Sequence, residues 1–530
     1  MLGQLAHVLT AAAAAAVGPS LRVGGALGEV NPTYASWNVD GSWNRGFFHV
    51  KWTNANLRAA AASLQPSSLR FGGGGNDFIK YDAPPGSCSA KGNQDRGPPL
   101  PPGYNCLNAS HFAEFYGMAN HSGAQLIFGL SFDKVAACAE HQKYAWNSSN
   151  AVAWIKHMQT AGQDVWAYEL GNEVNNQGIR PDGSPDAHNC SILPESQAQA
   201  IESLAQELET LYPDAATRPL LIGPDTGMWF PQNWLNSTLK AVGHRLHAVT
   251  HHVYLGVSKK SFNSGRKLDS ALADDISWYL PIVRAHAPAA QVWAGEDGPT
   301  GGGDSGTCGS DADSICGLYG TVLWYAADMG LRAQHSFKQY QRQDLVGGRY
   351  SLVGMPHDNE FLGEADAVTL HADFWVNFLW KRLMGPTVLN TSVSGGDADP
   401  ESDGPSVRGY AHCGTAPSPF RPNATGGAPP LTVLLVNLDN SNTSTEVTID
   451  GAASLVSWTI SPATGKGGGP FGARALLNGK LLPRVIADGE VIGRVPVAGV
   501  QTAGGKLSLP PISVTFAMVE GLPTPPECQQ

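Results

Sequence analysis

Short apolar runs alternate with stretches of helical periodicity from about residue 30 to residue 385. Eight of the runs are rich in β-branched and aromatic residues, and most end in Gly or polar positions, as buried strands do. They cover residues 32–40, 67–74, 124–131, 165–173, 219–227, 247–255, 291–298 and 332–340. Eight strand-then-helix units predict an α/β fold, a (β/α)8 TIM barrel over residues 28–385. A doubly wound open sheet is the alternative, although no Walker sequence follows any of these strands.

The pattern changes after residue 386. Short β-type runs such as PLTVLLVNLD and LVSWTIS are separated by Gly, Pro, Asn and Ser, and no long helical period lies between them. Residues 386–524 are therefore predicted to form an appended β-sandwich domain. Two stretches rich in Pro and Gly, residues 83–106 and 412–430, are typical of surface loops. Cys88 and Cys106 bracket the first stretch, and a disulfide between them would fix a loop that has no other structure.

Length and charge agree with a two-domain globular protein that does not bind nucleic acid. A chain of 530 residues is too long for a single core. The formal net charge of -11 argues against nucleic acid as a partner and against a broad basic surface for a polyanion. The eight cysteines contain no CxxC pair, so the sequence predicts no metal site, and no cofactor is indicated.

Several features indicate a secreted, lysosomal or vacuolar protein. Eight cysteines, an even number, fit disulfides in an oxidising compartment, although they permit 105 pairings. Residues 1–20 are a candidate signal peptide; since no Lys or Arg precedes the apolar run, a truncated or misassigned start is the alternative. No later segment reaches 18 uninterrupted apolar residues, so no transmembrane helix is predicted. Sequons for N-glycosylation, which support export, occur at Asn108, Asn120, Asn147, Asn189, Asn236, Asn390, Asn423 and Asn442.

Two predicted strands end in a glutamate. Glu173 follows the fourth strand in VWAYELGNE, and Glu296 lies at the end of the seventh in QVWAGEDG. Functional residues of a (β/α)8 barrel lie at the C-terminal ends of its strands, so the two carboxylates should meet at the barrel mouth. A glycosidase needs such a pair, one group to protonate the departing oxygen and one to attack the anomeric carbon. A structural carboxylate, satisfied by its neighbours, is the alternative for each glutamate alone.

Residues near these glutamates suggest further roles. Asn172, beside Glu173, could hydrogen-bond a sugar 2-hydroxyl, a contact that strengthens in an oxocarbenium-like transition state. Glu169 would lie on the same side of the strand as Glu173 but deeper in the barrel, where a structural role paired with Arg70 is expected.

Several motifs closely resemble heparanase and the heparanase-like glycoside hydrolases of family 79. They are LRFGGGGNDF, WAYELGNE, THHVY, VWAGED followed by GGG, and QRQDLVGGRYSLV, and the resemblance runs from about residue 27 to residue 522. It implies a (β/α)8 barrel with a β-sandwich, and hydrolysis with retention of anomeric configuration. By the same resemblance Glu173 is the general acid/base, Asn172 its sugar-binding neighbour and Glu296 the nucleophile.

The resemblance also implies a set of substrate-binding residues. Asp77, Gly301, Gly302 and Tyr350 would line the sugar site, and the glycines could offer backbone N–H groups to a uronate carboxylate. A simple loop turn is the alternative for the glycines. His252 and its neighbour His251 could orient the nucleophile, although at least one of them is expected to be a core histidine.

Proximity of the two glutamates should set their protonation. A retaining site holds its carboxyl groups about 5 Å apart, so one ionised group raises the pKa of the other. Glu296 is expected to be ionised for attack, and Glu173 to stay protonated until the leaving group departs.

Charge distinguishes the candidate substrates. The segments HFAEFYGMANHSG and GPDTGMWFPQNWLNS, which match basic regions of animal heparanase, contain no Lys or Arg, and Met228, Trp229 and Phe230 lie in the second. The leading hypothesis is a retaining β-glucuronidase that acts on glucuronic-acid-containing glycans or glycoconjugates. The protein is expected to be a single uncut chain and a monomer. Association with a membrane surface or matrix stays open. An endo-acting heparanase is one alternative; an inactive carbohydrate- or partner-binding relative is another, although such a protein would lose a carboxylate that this chain keeps.

Overall fold

The computed structural model describes residues 18–41, 47–88, 105–139, 145–175, 192–227, 231–260, 270–300, 308, 313–355, 367–395, 406–415, 431–441, 443–487, 492, 498–523 and 525–529. Most of the candidate signal peptide, Gly301, Gly302 and residues 228–230 lie outside the described residues. None of the helices in this part of the chain is long and apolar enough to cross a membrane.

The strands, in chain order, are β1 (Ser20–Glu29), β2 (Ala35–Asp40), β3 (Ser68–Gly72), β4 (Ile79–Tyr81), β5 (Asn105–Leu107), β6 (Gln125–Leu130), β7 (Ala167–Leu170), β8 (Leu220–Thr226), β9 (Ala248–Tyr254), β10 (Gln291–Gly298), β11 (Phe337–Arg342), β12 (Val353–Gly354), β13 (Val368–Leu370), β14 (Met384–Ser394), β15 (Val407–Gly414), β16 (Leu431–Asn437), β17 (Thr445–Ile449), β18 (Ser454–Pro462), β19 (Ala475–Leu477), β20 (Lys480–Leu481), β21 (Val485–Ile486), β22 (Val500–Ala503), β23 (Lys506–Leu509) and β24 (Ser513–Glu520). The α-helices are α1 (Ala55–Ala62), α2 (Ala109–His121), α3 (Lys134–Ala139), α4 (Ser149–Thr160), α5 (Pro194–Leu211), α6 (Pro231–Val242), α7 (Ser270–His286), α8 (Gly320–Gln334) and α9 (Phe374–Leu383).

The predicted barrel is confirmed. Strands β2, β3, β6, β7, β8, β9, β10 and β11 close into a ring in chain order, and every neighbouring pair is parallel. All eight strands overlap the predicted ones. The last prediction began too early, because residues 332–334 belong to α8, where Arg332 pairs with Asp328 one turn before it at 3.7 Å.

A large sheet from both ends of the chain forms the second domain. Its order is β20–β19–β18–β24–β16–β15–β14–β1–β17–β23, and β22 also pairs with β18. β1 precedes the barrel but lies between β14 and β17, since Ser20 pairs with both Ser394 and Thr448. One apolar cluster contains Leu21 from β1, Val433 from β16 and further residues of the end strands, so distant parts of the sheet face each other across it. This arrangement is consistent with the predicted β-sandwich.

The two domains share hydrogen bonds and a small sheet. β21, from the sandwich part of the chain, pairs with β13, which follows the last barrel strand. The buried Tyr319 hydroxyl hydrogen-bonds to the carbonyls of Ile460 and Ile512, at 3.0 Å each. The sandwich therefore packs directly against the loops and helices on one side of the barrel.

Disulfides close three loops among the described residues. Cys88 and Cys106 are bonded, as the sequence predicted, and Cys308 is bonded to Cys316. Cys413 of β15 is bonded to Cys528 near the C-terminus, across a sequence separation of 115 residues.

Candidate active site

Glu173 and Glu296 meet at the mouth of the barrel. Glu296 belongs to β10, where it lies next to His252 of β9 in the sheet register. Glu173 follows β7 in a turn with a left-handed backbone angle (φ 47°), uncommon for a non-glycine residue. Its side chain is 22% exposed and that of Glu296 is 4% exposed. A carboxylate oxygen of each lies within 4.8 Å of the other.

Arg70 of β3 lies beneath the pair and connects it to the barrel interior. Its guanidinium contacts Glu169 at 2.7 Å and Glu296 at 3.1 Å, and it also pairs with Asp225. The predicted Arg70–Glu169 pairing is therefore confirmed. Gly72, the last residue of β3, allows this arrangement, because a Cβ there would lie 2.5 Å from the Arg70 guanidinium carbon.

His252 connects the candidate acid/base to a buried carboxylate. Its Nδ1 lies 2.8 Å from Glu173 Oε1, its Nε2 contacts Asp225 Oδ1, and Nδ1 is 3.9 Å from Glu296 Oε2. Burial lowers the pKa of His252, but Asp225 and Glu296 raise it by more, so the pKa lies well above its usual value. The raised pKa favours a protonated imidazole, and of the two glutamates Glu173 is the one that lies within hydrogen-bond distance of His252.

His251 is the core histidine of the two. Its side chain points away from the site, with Nδ1 2.8 Å from the Thr226 carbonyl and Nε2 3.0 Å from Asp275. The ring stacks on Tyr279 with centroids 4.7 Å apart. Adjacent residues of a strand face opposite sides, which accounts for the different surroundings of His251 and His252.

The order of the two glutamate pKa values that the structure favours differs from the order expected from the sequence. Burial raises the pKa of Glu173, but the hydrogen bond and charge of His252 outweigh it and hold the pKa below its usual value. Burial raises the pKa of Glu296, and the opposing charges of His252 and Arg70 do not cancel the increase. A histidine paired with Glu173 was not expected from the sequence, and that pairing lowers the pKa of Glu173 while burial raises that of Glu296.

Two residues of the site were missed in the sequence. The Tyr254 hydroxyl donates to Glu296 Oε1, and Asp225 of β8 bridges Arg70 and His252. Both lie in predicted strands. Tyr254 could have been found, because in THHVY it is two residues after His252 and therefore on the same side of its strand. Asp225, like Glu173 and Glu296, stands near the C-terminal end of a strand.

Asn172 and Asp77 have different hydrogen-bond partners in the site. Asn172 Oδ1 accepts hydrogen bonds from Arg70 and from the Gly73 backbone N–H, at 3.0 Å each. Asp77 is fully buried, and its carboxylate accepts the backbone N–H groups of Phe132 at 2.8 Å and Asn172 at 3.0 Å. In this structure the Asp77 carboxylate holds the backbone of the site, and its role in sugar binding stays a prediction.

Tyr350 is also fully buried. It packs with the Cys308–Cys316 disulfide. Its carbonyl accepts a 2.6 Å hydrogen bond from Arg342. The role of Tyr350 in sugar binding stays a prediction, as do those of Gly301 and Gly302 outside the described residues.

The site is arranged for proton transfer rather than for holding a metal ion. Glu173, His252 and Glu296 approach each other closely enough to suggest a metal site. Both ring nitrogens of His252, however, face carboxylates at hydrogen-bond distance, and metal coordination needs an unprotonated nitrogen. Burial, together with the charge of Asp225, raises the pKa of Glu169 to about 7 against the opposing charge of Arg70.

Comparisons with known proteins give a consistent assignment. The family model "Glycosyl hydrolase family 79, N-terminal domain" matches residues 33–330. Heparanase-like protein 3 of Arabidopsis thaliana is 24% identical over 76% of this chain and 68% of its own length. Heparanase of Mus musculus is 27% identical over 93% of this chain and 91% of its own. Baicalin-beta-D-glucuronidase of Scutellaria baicalensis is 25% identical over 70% and 68%.

A solved structure shows the same fold. The GH51 arabinofuranosidase from Xanthomonas axonopodis pv. citri superposes with a TM-score of 0.63 over 95% of this chain and 99% of its own. At 14% sequence identity this likeness concerns the fold alone.

Proposed function

Because the chain belongs to glycosyl hydrolase family 79, we propose that it is a retaining β-glucuronidase that cleaves glucuronic-acid-containing glycans or glycoconjugates by double displacement. The observation that carries the proposal is the distance within 4.8 Å between carboxylate oxygens of Glu173 and Glu296. Retaining enzymes hold the two carboxyl groups about 5–5.5 Å apart, whereas inverting enzymes need about 6.5–9.5 Å to admit a water molecule. Both groups are present, which counts against an inactive relative.

Glu296 is the nucleophile in this mechanism. It reacts as the carboxylate, at a pH above its raised pKa. Arg70 at 3.1 Å and the Tyr254 hydroxyl fix its two oxygens and stabilise its charge. Its attack forms a covalent glycosyl-enzyme intermediate as the leaving oxygen departs.

Glu173 and His252 together are the acid. The pair holds one proton that rests mainly on the imidazole, because the pKa of Glu173 is lowered and that of His252 is raised. In the first step that proton passes from His252 Nδ1 to Glu173 across 2.8 Å, and Glu173 gives it to the leaving oxygen, so that Glu173 ends the step as a carboxylate. In the second step Glu173 removes a proton from water, which hydrolyses the ester bond to Glu296.

Asn172 is proposed to bind the sugar 2-hydroxyl. Its Oδ1 is held by Arg70 and by the Gly73 N–H, so the orientation of the amide is fixed. The Nδ2 group is then the part that can donate to the sugar, in a contact that strengthens at the transition state.

Charge favours a lightly charged glucuronide over heparan sulfate. The cations closest to the two glutamates in the described part of the site, Arg70, His252 and Lys134, are buried and already contact carboxylates. With a net charge of -11 the chain offers little attraction to a sulfated polymer. The baicalin glucuronidase and the heparanases among the relatives indicate the two substrates to compare, an aryl glucuronide and heparan sulfate.

A substrate panel tests the proposal. We expect hydrolysis of aryl β-glucuronides in preference to aryl glucosides, galactosides and xylosides, and little cleavage of heparan sulfate. Glu296→Gln should lose at least about 1,000-fold in kcat, because the nucleophile is removed. NMR of the first-formed product should show the β-anomer. Initial release of the α-anomer would refute the retaining mechanism, and near-normal turnover by Glu296→Gln would refute the residue assignment.

A further inference from the structure

The backbone of the Asn172–Glu173 turn is held at each of its polar groups. The Asn172 N–H donates to Asp77 Oδ2 at 3.0 Å, and the Glu173 N–H donates to the Asp225 carbonyl at 2.9 Å. The Lys134 ammonium donates to the carbonyl of Asn172 at 3.1 Å and to that of Glu173 at 3.4 Å. This turn has the left-handed φ of 47° at Glu173, a conformation that persists only where the surroundings enforce it.

Lys134 and Asp77 form a buried ion pair under the turn. Lys134 is the first residue of α3, directly after the loop that follows β6, and its side chain is 6% exposed. Its Nζ lies 3.6 Å from Asp77 Oδ2. Burying two charges costs free energy that their mutual attraction often fails to recover, so stability alone is a weak reason for the pair.

We propose that Lys134 is a positioning residue for Glu173, and that with Asp77 it holds the acid/base carboxyl in line with the leaving oxygen. This inference rests on the proposed function of Glu173. Asp77 fixes the N–H side of the turn and Lys134 fixes the carbonyl side. Removing Lys134 frees both carbonyls, and the turn can then relax towards an ordinary right-handed or extended backbone, which displaces the Glu173 side chain.

The displacement should affect proton donation more than attack. A misplacement of about 1 Å caused by a residue outside the chemistry can cost about 100-fold in rate. Glu296 is held by other residues, Arg70 and Tyr254. Among the described residues Lys134 contacts neither of these two, so its removal should leave the position of Glu296 unchanged. Substrates whose leaving groups need protonation should therefore suffer most.

The experiment compares Lys134→Met with the wild-type chain on two substrates. We expect kcat/KM to fall about 100-fold for phenyl β-glucuronide and less than about 10-fold for dinitrophenyl β-glucuronide, whose leaving group needs little protonation. Lys80→Met is the matched control, because Lys80 forms a partly exposed 2.6 Å ion pair with the adjacent Asp133. It should keep the wild-type ratio of the two rates.

A second variant covers the case in which Lys134→Met fails to fold. Asp77→Asn combined with Lys134→Met removes both buried charges and leaves no lone carboxylate, and it should show the same selective loss. An equal loss on both substrates, or a wild-type ratio, would overturn the positioning role while leaving the proposed function intact. If the wild-type chain were inactive on both glucuronides, the proposed function would be refuted, and so would this inference, which depends on it.

Discussion

Replacing His252 with Gln tests the proton stored beside Glu173. His252 is fully buried with Nδ1 2.8 Å from Glu173 Oε1, so the alkaline limb of kcat/KM in the wild-type chain should follow loss of the proton that this pair shares. Gln keeps a hydrogen-bond donor but cannot hold that proton, and the limb should then follow Glu173 alone. The pKa of His252 lies above its ordinary value, and burial raises that of Glu173 once the charge of His252 is gone, so both values shift upwards. Ordinary His and Glu side chains differ by about two pKa units. We therefore expect the limb to move down by about two pH units.

The assay is the pH dependence of kcat/KM for phenyl β-glucuronide, which needs its leaving group protonated. A shift of two units corresponds to about 100-fold lower activity at a pH above the wild-type limb, where both activities are falling. His251→Gln is the matched control, since His251 is equally buried on the same strand but contacts Thr226 and Asp275 instead. Its limb should stay in place. An unmoved or raised limb in His252→Gln would show that Glu173 does not draw on His252.

Two further predictions concern the acid/base and the fold. Glu173→Gln should lower kcat/KM for phenyl β-glucuronide by about 100- to 10,000-fold and spare dinitrophenyl β-glucuronide; equal losses on both would contradict the acid/base role. Replacing Cys413 and Cys528 by Ser should lower the free energy of unfolding in urea by up to about 5 kcal/mol, because the bond closes 115 residues. The same change at Cys88 and Cys106, which enclose 18 residues, should cost up to about 3 kcal/mol, and the reverse order would contradict a loop-entropy origin.

The apolar pattern was sufficient to predict the barrel, because each of its strands is a short run of β-branched and aromatic residues that can be identified locally in the sequence. Position at a strand end was likewise sufficient to select Glu173 and Glu296. β1 was missed, since its sequence SLRVGGALGE mixes polar and Gly positions and it forms a strand by pairing with distant residues. A strand that forms only through such distant pairings has no local signature in the sequence.

It was harder to predict which side chains of the site contact each other than to predict which residues belong to the site. Arg70, Asp225 and His252 come from three strands, and only the register of the closed barrel decides which side chains touch. The lowered pKa of Glu173 depends on one 2.8 Å contact of that kind. Lys134 was overlooked for a related reason, because its function lies in contacts to backbone carbonyls that no sequence motif encodes.

The position of β1 has a consequence for how the polypeptide is made. Ser20 emerges from the ribosome long before Ser394 and Thr448 are synthesised, and these two residues are its pairing partners on the neighbouring strands. The barrel strands emerge in the order in which they pair, so the ring can close while the sandwich still lacks its partners. Trimming the gene at either end removes part of the same sheet. A cut at residue 386 would therefore not yield two intact halves.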